Sequence, residues 1–227
     1  MKQIRRNHTS SIVNCQKLQN LDISQNKLNG SIPQQFISLS SLLILDLSHN
    51  SFTVELPEVN RMKNIYYLDV LVNNLIGNIP SSIGSCLNLE YISLQGNSFE
   101  GSIPSSMASF RGLQHLDISR NNLSGLIPKG FRKASFFLQS LNLSFNDIEG
   151  KISTEGIFRN ASAISVIENT KLCGGCTRIA VACMSYQSQE IKKVPCFQPK
   201  NCNHIYCPTF PHDFILFCLS LEEKIKK

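Results

Sequence analysis

The sequence predicts an α/β solenoid with a parallel sheet on its concave side and short 3₁₀ or helical turns on its convex side. One pattern, L-x-x-[IL]-x-[LI]-x-x-N-x-[FL]-x-G-x-I-P, occurs twice within residues 89–128, and related copies precede and follow it. The asparagines of successive copies lie 23 to 25 residues apart. A fixed period of this length is typical of solenoids, whose coils bury their apolar faces only by stacking on one another.

Six full repeats can be aligned on one asparagine each. This residue follows a short strand, and its amide group has two donor hydrogens and an acceptor oxygen. It can therefore bond backbone groups that the bend after the strand would leave buried and unpaired. The six structural asparagines are Asn26, Asn50, Asn73, Asn97, Asn121 and Asn146. Two repeats depart from the pattern, since Val54 stands where glycine is usual and Ser153 where proline is expected.

The repeats divide the chain into four parts. We expect a disordered start at residues 1–8, a partial repeat followed by the six full repeats at 9–153, a C-terminal cap at 154–183 and a divergent, disordered tail at 184–227. Seven of the nine cysteines lie after residue 172. Cysteine therefore belongs to the C-terminal part of the chain and not to the repeats.

The charge of the chain is modest and does not favour a nucleic-acid partner. The formal net charge is +6. Residues 1–170 carry 14 Lys and Arg against 12 Asp and Glu, and residues 171–227 carry 8 against 4. The basic excess is too diffuse to form the concentrated patch that nucleic-acid binding requires.

Neither end of the sequence has the pattern of a targeting segment. The first fifteen residues contain basic residues but no apolar run of signal-peptide length. The longest apolar run elsewhere, residues 214–219, has six residues, whereas a membrane-spanning helix needs about 20. We therefore expect neither an export signal nor a membrane segment in this sequence, and its localisation stays open.

The L-x-G-x-I-P half of each repeat resembles the plant-specific class of leucine-rich repeat, which is found in receptor-like kinase ectodomains and in polygalacturonase-inhibiting proteins. Residues 156–175, GIFRNASAISVIENTKLCGG, resemble the end of the ectodomain in the group of plant receptor-like kinases that contains immune receptors for bacterial patterns. The resemblance covers about residues 9–175. The motif at residues 156–175 is more specific than the repeats themselves.

The resemblance implies a non-enzymatic interaction module that recognises a peptide, a pattern molecule or a co-receptor ectodomain in defence or developmental signalling. The family carries a Ser/Thr kinase domain, but the H-R-D and D-F-G motifs of kinases are absent from this sequence. In the family a second cysteine follows the Cys-Gly-Gly motif, which suggests a disulfide between Cys173 and Cys183. Two alternatives stay open: a secreted protein similar to polygalacturonase inhibitors or a structural protein, and a truncated gene product without function.

The concave face is the surface on which we expect a ligand. Side chains alternate between the two faces of a strand, so Leu116 and Ile118 point into the coil while His115, Asp117 and Ser119 point out. Aspartate and serine at outward positions follow the usual L-D-L-S pattern, so a structural role competes with ligand contact. Tyrosine, phenylalanine and arginine are the residues that most often carry interface energy. The predicted ligand-binding residues are Tyr67, Asp69, Tyr91, Ser93, His115, Asp117, Arg120 and Phe145.

His115, Asp117 and Ser119 have the composition of a hydrolase triad. Residues i and i+2 of a strand lie about 6.6 Å apart, whereas a nucleophile and its base must approach to about 3 Å. We therefore predict no catalytic residue and no cofactor.

Other motifs concern modification and metal binding. The N-x-[ST] pattern predicts N-glycosylation wherever the chain enters the secretory pathway. The five sequons begin at Asn7, Asn29, Asn122, Asn142 and Asn160. A zinc site in the C-terminal part is an alternative that we do not favour, because the spacing of its candidate ligands fits no structural zinc motif. Those candidates are Cys196, Cys202, His204, Cys207 and His212.

Overall fold

The computed structural model describes Cys15, residues 17–132 and residues 138–175. In these residues the chain winds into seven coils, and each coil contributes one short strand to a parallel sheet, which we call the concave sheet. The strands of the concave sheet, in chain order and in sheet order, are β1 (Asn20–Asp22), β3 (Ile44–Asp46), β5 (Tyr67–Asp69), β7 (Tyr91–Ser93), β9 (His115–Asp117), β11 (Ser140–Asn142) and β13 (Ile164–Ser165). We number the coils 1 to 7 by these strands. Position 7 of a coil is its asparagine, and positions 1 to 6 are the residues before it.

The concave sheet stays in register from coil to coil. Leu68 pairs with Leu45 on one side and with Ile92 on the other. All three side chains are at most 1% exposed. Because each step repeats the same apolar position, the aliphatic side chains stack into continuous columns. Full burial of such a side chain stabilises the fold by roughly 1.5–3 kcal/mol.

A second parallel sheet, which the sequence did not predict, follows the asparagines. Its five-stranded part contains β6 (Ile76–Asn78), β8 (Ser98–Ser102), β10 (Asn122–Leu126), β12 (Asp147–Ile152) and β14 (Lys171–Gly174). Coils 1 and 2 form a separate two-stranded sheet from β2 (Asn29–Gly30) and β4 (Ser51–Phe52). The strands of coils 1 to 3 are short, and the strands become longer towards the C-terminus.

The convex side carries short helical turns, which confirms the prediction for these segments. Helix α1 is a single α-helical turn at Gln34–Ile37. Two of the helical turns follow Pro80 and Pro104, where the fixed φ of proline suits the start of a helix. The 3₁₀ turns lie at Ser81–Ser85, Ser105–Ser109, Lys129–Arg132, Gly156–Arg159 and Ala161–Ala163.

The solenoid extends one coil further than the six repeats of the sequence pattern. Strand β13 pairs with β11, and β14 pairs with β12, so the segment predicted as a cap continues both sheets. Asn169 donates from Nδ2 to the carbonyl oxygens of Val166 and Leu143, at 3.1 and 2.9 Å. Its Oδ1 accepts from the backbone N–H of Ile148 at 3.0 Å. Asn169 is therefore the position 7 residue of a seventh coil.

Left-handed backbone conformations recur at two positions of the coils. Position 6 has a positive φ in all seven coils, between 50° and 66°. In coils 1 to 6 the fourth residue after the asparagine also has a positive φ and is usually glycine, as at Gly125 (φ 76°). In coil 2 this residue is Val54, with φ 69° and 50% exposure. A β-branched residue in this region is strained, because its side chain crowds the backbone.

We predict that Val54→Gly raises the free energy of unfolding by about 1 kcal/mol. A non-glycine residue in a sparsely populated conformation costs on the order of 1–3 kcal/mol, and the greater chain entropy of glycine offsets only part of this gain. Chemical denaturation of the full chain measures the difference.

Gly125→Val is the matched control for this substitution. A Cβ added at Gly125 meets no atom nearer than Cβ of Ser102, at 3.7 Å. The control therefore adds the same backbone strain without a clash, and it should lower the free energy of unfolding. A denaturation midpoint for Val54→Gly equal to or below that of the wild type would contradict the assignment of strain to Val54.

Candidate functional site

From Asn50 onwards, each structural asparagine joins its own bend to the coil before it by hydrogen bonds. Nδ2 of Asn97 donates to the carbonyl oxygens of Leu94 (3.1 Å) and Gln95 (3.3 Å), and to that of Val70 in the preceding coil (2.9 Å). Its Oδ1 accepts from the backbone N–H of Leu75 at 3.0 Å. These four bonds recur at Asn50, Asn73, Asn121 and Asn146, and Asn26 makes the two within its own coil.

An aromatic row crosses the concave sheet at position 1 of coils 3 to 5. Tyr67 lies opposite Tyr91 in the sheet, and their rings stack with centroids 4.4 Å apart and planes inclined by 7°. His115 continues the row, with its ring centroid 5.9 Å from that of Tyr91 and its plane tilted by 49°. Each tyrosine ring therefore covers one face of the other. Such pairs contribute about 0.5–1.5 kcal/mol beyond the area they bury.

Asp69 positions the first ring of this row. The Tyr67 hydroxyl donates to Oδ2 of Asp69 at 3.3 Å, and the backbone N–H of Leu71 donates to Oδ1 at 2.8 Å. Burial raises the pKa of Asp69, and the neighbouring charge of Asp46 adds to this effect. Burial, together with the charge of Asp69, also raises the pKa of Tyr67. The hydroxyl therefore keeps its proton and remains a donor to the carboxylate.

Position 3 has a structural role in most coils. Oδ1 of Asp22, Asp46 and Asp117 accepts from the backbone N–H two residues further on, at 2.9 Å in each case. Asn142 makes the equivalent bond to Ser144 at 3.2 Å. These local bonds stabilise the turn that follows each strand. They support the structural alternative for the aspartate column.

Coils 5 and 6 are joined by a polar network around Asp117. The hydroxyl of Ser119 donates to Oδ1 of Asp117 at 2.6 Å, and Nδ2 of Asn142 donates to Oδ2 at 3.0 Å. Within the described residues, His115 has no hydrogen bond to either Asp117 or Ser119. The three residues of the apparent triad therefore lack the bond from histidine to serine that a nucleophilic mechanism requires.

Five residues that the alternation rule places on the outer surface are buried instead. Their exposed fractions are 5% at Ser48, 4% at Asp69, 2% at Ser93, 1% at Ser119 and 3% at Ser144. The expectation that they face solvent is wrong, because these short side chains lie below the level of the larger residues at positions 1 and 6. Strict alternation also ends with the three-residue strand, after which the chain turns.

Position 6 is the other exposed position of the concave face. The guanidinium carbon of Arg120 lies 4.4 Å from the ring centroid of Phe145, in the next coil. Phe145 is 37% exposed. A cation over an aromatic face at an exposed site contributes about 0.5–1 kcal/mol. This contact orders the arginine side chain while its charged edge remains accessible.

The described sequons differ in how accessible they are. Asn122 and Asn160 are exposed, whereas Asn29 and Asn142 are half-buried. A glycan would be attached to Nδ2, and Nδ2 of Asn142 already donates to Asp117 and to Oγ of Ser119. Glycosylation of Asn142 replaces one of the two hydrogens on Nδ2 and would therefore break at least one bond that joins coils 5 and 6. Asn7 lies outside the described residues.

Cys15, Cys86 and Cys173 are the cysteines that lie within the described residues, which end at Gly175. Cys173 is disulfide-bonded, and its predicted partner, Cys183, lies outside the described residues. The same holds for the cysteines and histidines of the alternative zinc site. Among the residues that the structure describes, no group of three His, Cys, Asp or Glu side chains is arranged to hold a metal ion. In the same residues, no helix combines the length and the hydropathy needed to cross a bilayer.

Comparison with known proteins gives the family. Leucine-rich repeat models match residues 3–52, 88–110, 112–134 and 134–152. The ectodomain of the membrane receptor kinase GASSHO1/SCHENGEN3 from Arabidopsis thaliana, solved in complex with CASPARIAN STRIP INTEGRITY FACTOR 2, has a similar structure. It matches with a TM-score of 0.70 and 35% identity, over 77% of this chain and 20% of that one. The chain belongs to the leucine-rich repeat family.

Two further matches agree with this assignment. A probable leucine-rich repeat receptor-like serine/threonine-protein kinase of Arabidopsis thaliana is 42% identical over 57 residues, which are 25% of this chain and 6% of the relative. The Arabidopsis receptor kinase HAESA, in complex with the peptide hormone IDA and the co-receptor SERK1, matches with a TM-score of 0.53 and 28% identity, over 75% of this chain and 36% of that one. This leucine-rich repeat chain therefore spans only a small part of the length of its receptor relatives.

We predict opposite effects of pH for two aspartates of the same column. The pKa of Asp69 is higher in the folded protein than its unfolded value of 3.8. Ionisation of Asp69 therefore opposes folding at pH values above the folded pKa, and it has no effect at pH values below 3.8. Asp69→Asn should therefore gain stability relative to the wild type as the pH rises from 3.5 to 7. Chemical denaturation at both pH values measures this.

Asp22→Asn is the control for the sign of this effect. The hydrogen bond from the backbone N–H of Ser24 is the main cause that lowers the pKa of Asp22. Ionisation of Asp22 therefore favours folding at pH values above its unfolded pKa, and this stabilisation is lost in acid. Its asparagine variant should lose stability relative to the wild type over the same rise in pH. The same trend in both variants would contradict the role given to burial at Asp69.

Proposed function

We propose that this leucine-rich repeat chain is a non-catalytic recognition module whose concave face binds an extended peptide at coils 3 to 5, in defence or developmental signalling. The observation that carries the proposal is the aromatic row formed by Tyr67, Tyr91 and His115. His115 is exposed and the two tyrosines are half-buried, and aromatic residues of this kind are frequent anchors of protein interfaces. A pattern molecule, the other kind of ligand that the family resemblance implies, would bind to the same surface.

The row is ordered before any ligand arrives. Tyr67 is fixed by its stacking on Tyr91 and by the hydrogen bond of its hydroxyl to Asp69. A free side chain must be immobilised on binding, which costs about 0.5–1.5 kcal/mol for each flexible residue. The Tyr67 side chain is already ordered in the folded chain, so its contact with a ligand contributes more to affinity than contact with a flexible side chain would.

The buried carboxylate of Asp69 is a second argument. Its raised pKa means that its charge opposes folding at neutral pH. An asparagine could accept the bond from Leu71, as Asn142 does from Ser144 in coil 6. Groups that reduce stability where a neutral isostere would fit are typical of functional sites.

The dimensions of the face suit a short ligand. Seven parallel strands at about 4.8 Å separation make a sheet about 29 Å wide. Coils 3 to 5 cover about 10 Å of this width, which matches about three residues of an extended peptide at 3.3 Å per residue.

A co-receptor is the partner that we propose for the C-terminal coils. Phe145 is 37% exposed and Ile167 60% exposed, in neighbouring coils 6 and 7. Exposed apolar residues next to an ordered arginine, Arg120, are typical of interface centres. The HAESA complex contains both a peptide hormone and a co-receptor, which supports the combination of partners.

Selection from a displayed library of random linear peptides tests the peptide site. Peptides selected on the purified full chain are measured against the wild type, against Tyr67→Ala and Tyr91→Ala, and against Tyr66→Ala. Tyr66 is a matched control, because it is 38% exposed and directly precedes strand β5. We expect each concave substitution to weaken binding about tenfold or more, as interface anchors do, and Tyr66→Ala to have little effect.

Two outcomes would contradict the proposal. Selected peptides that bind the wild type and both concave variants equally would place the binding surface elsewhere. A selection that enriches no peptide would contradict the peptide as ligand class. Circular dichroism and the denaturation midpoint of each variant show that the fold is intact.

A further inference from the structure

The concave face of coils 1 to 4 is acidic. Its positions 1, 3, 5 and 6 include three aspartates and neither lysine nor arginine. The aspartates, Asp22, Asp46 and Asp69, are direct neighbours in the register of the concave sheet. In the described part of the chain, neither Asp46 nor Asp69 forms an ion pair with a basic side chain. A ligand on this surface therefore meets negative charge that the protein itself does not neutralise.

The aromatic row adds an independent feature at the same place. One face of the Tyr67 ring is covered by Tyr91. Strand order places coil 2 on the other side, so the remaining ring face is directed towards Ile44 and Asp46. Tyr67 is only partly buried. The face of an aromatic ring carries the negative part of its quadrupole and attracts cations.

We propose that the ligand peptide binds through a lysine or arginine side chain that lies against the Tyr67 ring and pairs with the half-buried carboxylate of Asp46, while the buried charge of Asp69 adds to the attraction. This inference rests on the proposed function and names the chemical class of its ligand. The apolar stem of either side chain would pack on Ile44 and the ring, while its charged group reaches the carboxylate of Asp46.

The hydrogen bonds of the two carboxylates favour this arrangement. Oδ1 of Asp46 accepts from the backbone N–H of Ser48 at 2.9 Å. Asp69 accepts through both oxygens, from Leu71 and from the Tyr67 hydroxyl. Each carboxylate is thus fixed in place by neutral donors, and among the described residues neither is paired with a cationic group. A calcium ion would need six to eight oxygen ligands, more than these two carboxylates supply, whereas an ammonium or guanidinium group needs only two or three acceptors.

Electrostatic coupling within the site strengthens the preference for a cation. Burial raises the pKa of Asp69, the hydrogen bond from Leu71 opposes this, the charge of Asp46 adds to the rise, and the Tyr67 hydroxyl and the nearby His49 lower the pKa. A bound cation would relieve the repulsion between the two carboxylates. Binding should therefore be tighter at neutral pH than in acid, where Asp69 takes up a proton.

The peptides selected on the full chain provide the test. We expect those that depend on Tyr67 to contain lysine or arginine more often than the starting library. Replacement of lysine by norleucine, or of arginine by citrulline, should weaken binding about tenfold, the size of effect expected for loss of a charge-assisted contact. The variant Asp46→Asn/Asp69→Asn should show a similar loss, and its binding should no longer depend on salt concentration.

Two controls separate charge from folding. Asparagine is compatible with position 3, because Asn142 occupies it in coil 6 and makes the same local bond. Asp147→Asn removes a carboxylate of the second sheet, where Asp147 pairs with Lys171, and should leave peptide binding unchanged.

The outcomes distinguish this inference from the proposed function. Peptides that need Tyr67 and Tyr91, but bind equally well without their basic residue or to the double asparagine variant, would overturn the cationic ligand while the peptide site stands. If no selected peptide depends on Tyr67 or Tyr91, both the proposed peptide site and the cationic ligand are contradicted. Loss of binding on removal of either the basic residue or the two carboxylates supports the inference.

Discussion

The hydrogen bonds of the position 7 asparagines hold the solenoid together. Each of these side chains, from Asn50 to Asn169, accepts one backbone N–H and donates to one carbonyl in the coil before it. It also donates to two carbonyls of its own bend. Aspartate lacks the donor, and leucine lacks both functions. Because an unpaired buried backbone group costs about 1–3 kcal/mol, each coil depends on an asparagine whose two functions neither aspartate nor leucine supplies together.

This constraint also shapes the binding face. The bend that the asparagine stabilises passes through a left-handed residue at position 6, even where that residue is Val72, Arg120 or Phe145. Such conformations persist only where surrounding bonds determine them. Position 3 is engaged in local bonds in most coils, so positions 1 and 6 are left to vary without loss of the fold. The aromatic row and the Arg120–Phe145 pair both lie at these positions, and recognition can change there independently of the scaffold.

The sequence predicted the parts of the structure that depend on the period. The six asparagines, the concave sheet and the convex turns follow from a repeat whose apolar residues can be buried only when successive coils stack. The seventh coil was missed because the residues before Asn169 read A-I-S-V-I-E, without the leading leucines of the other coils. The second sheet was missed because its strands contain glycine, which is rare in strands. The burial of Ser93 and the bond from Tyr67 to Asp69 depend on contacts between side chains, which a period does not encode.

The free energy of unfolding of Asn97→Leu tests the role of the asparagines most directly. This substitution leaves the backbone N–H of Leu75 and the carbonyl of Val70 without their partner. We predict a loss of roughly 1–3 kcal/mol. Asn88→Leu is the control, since Asn88 is exposed and donates one bond to the carbonyl of Lys63, and its loss should stay below about 0.5 kcal/mol. Equal denaturation midpoints for Asn97→Leu and the wild type would contradict the account.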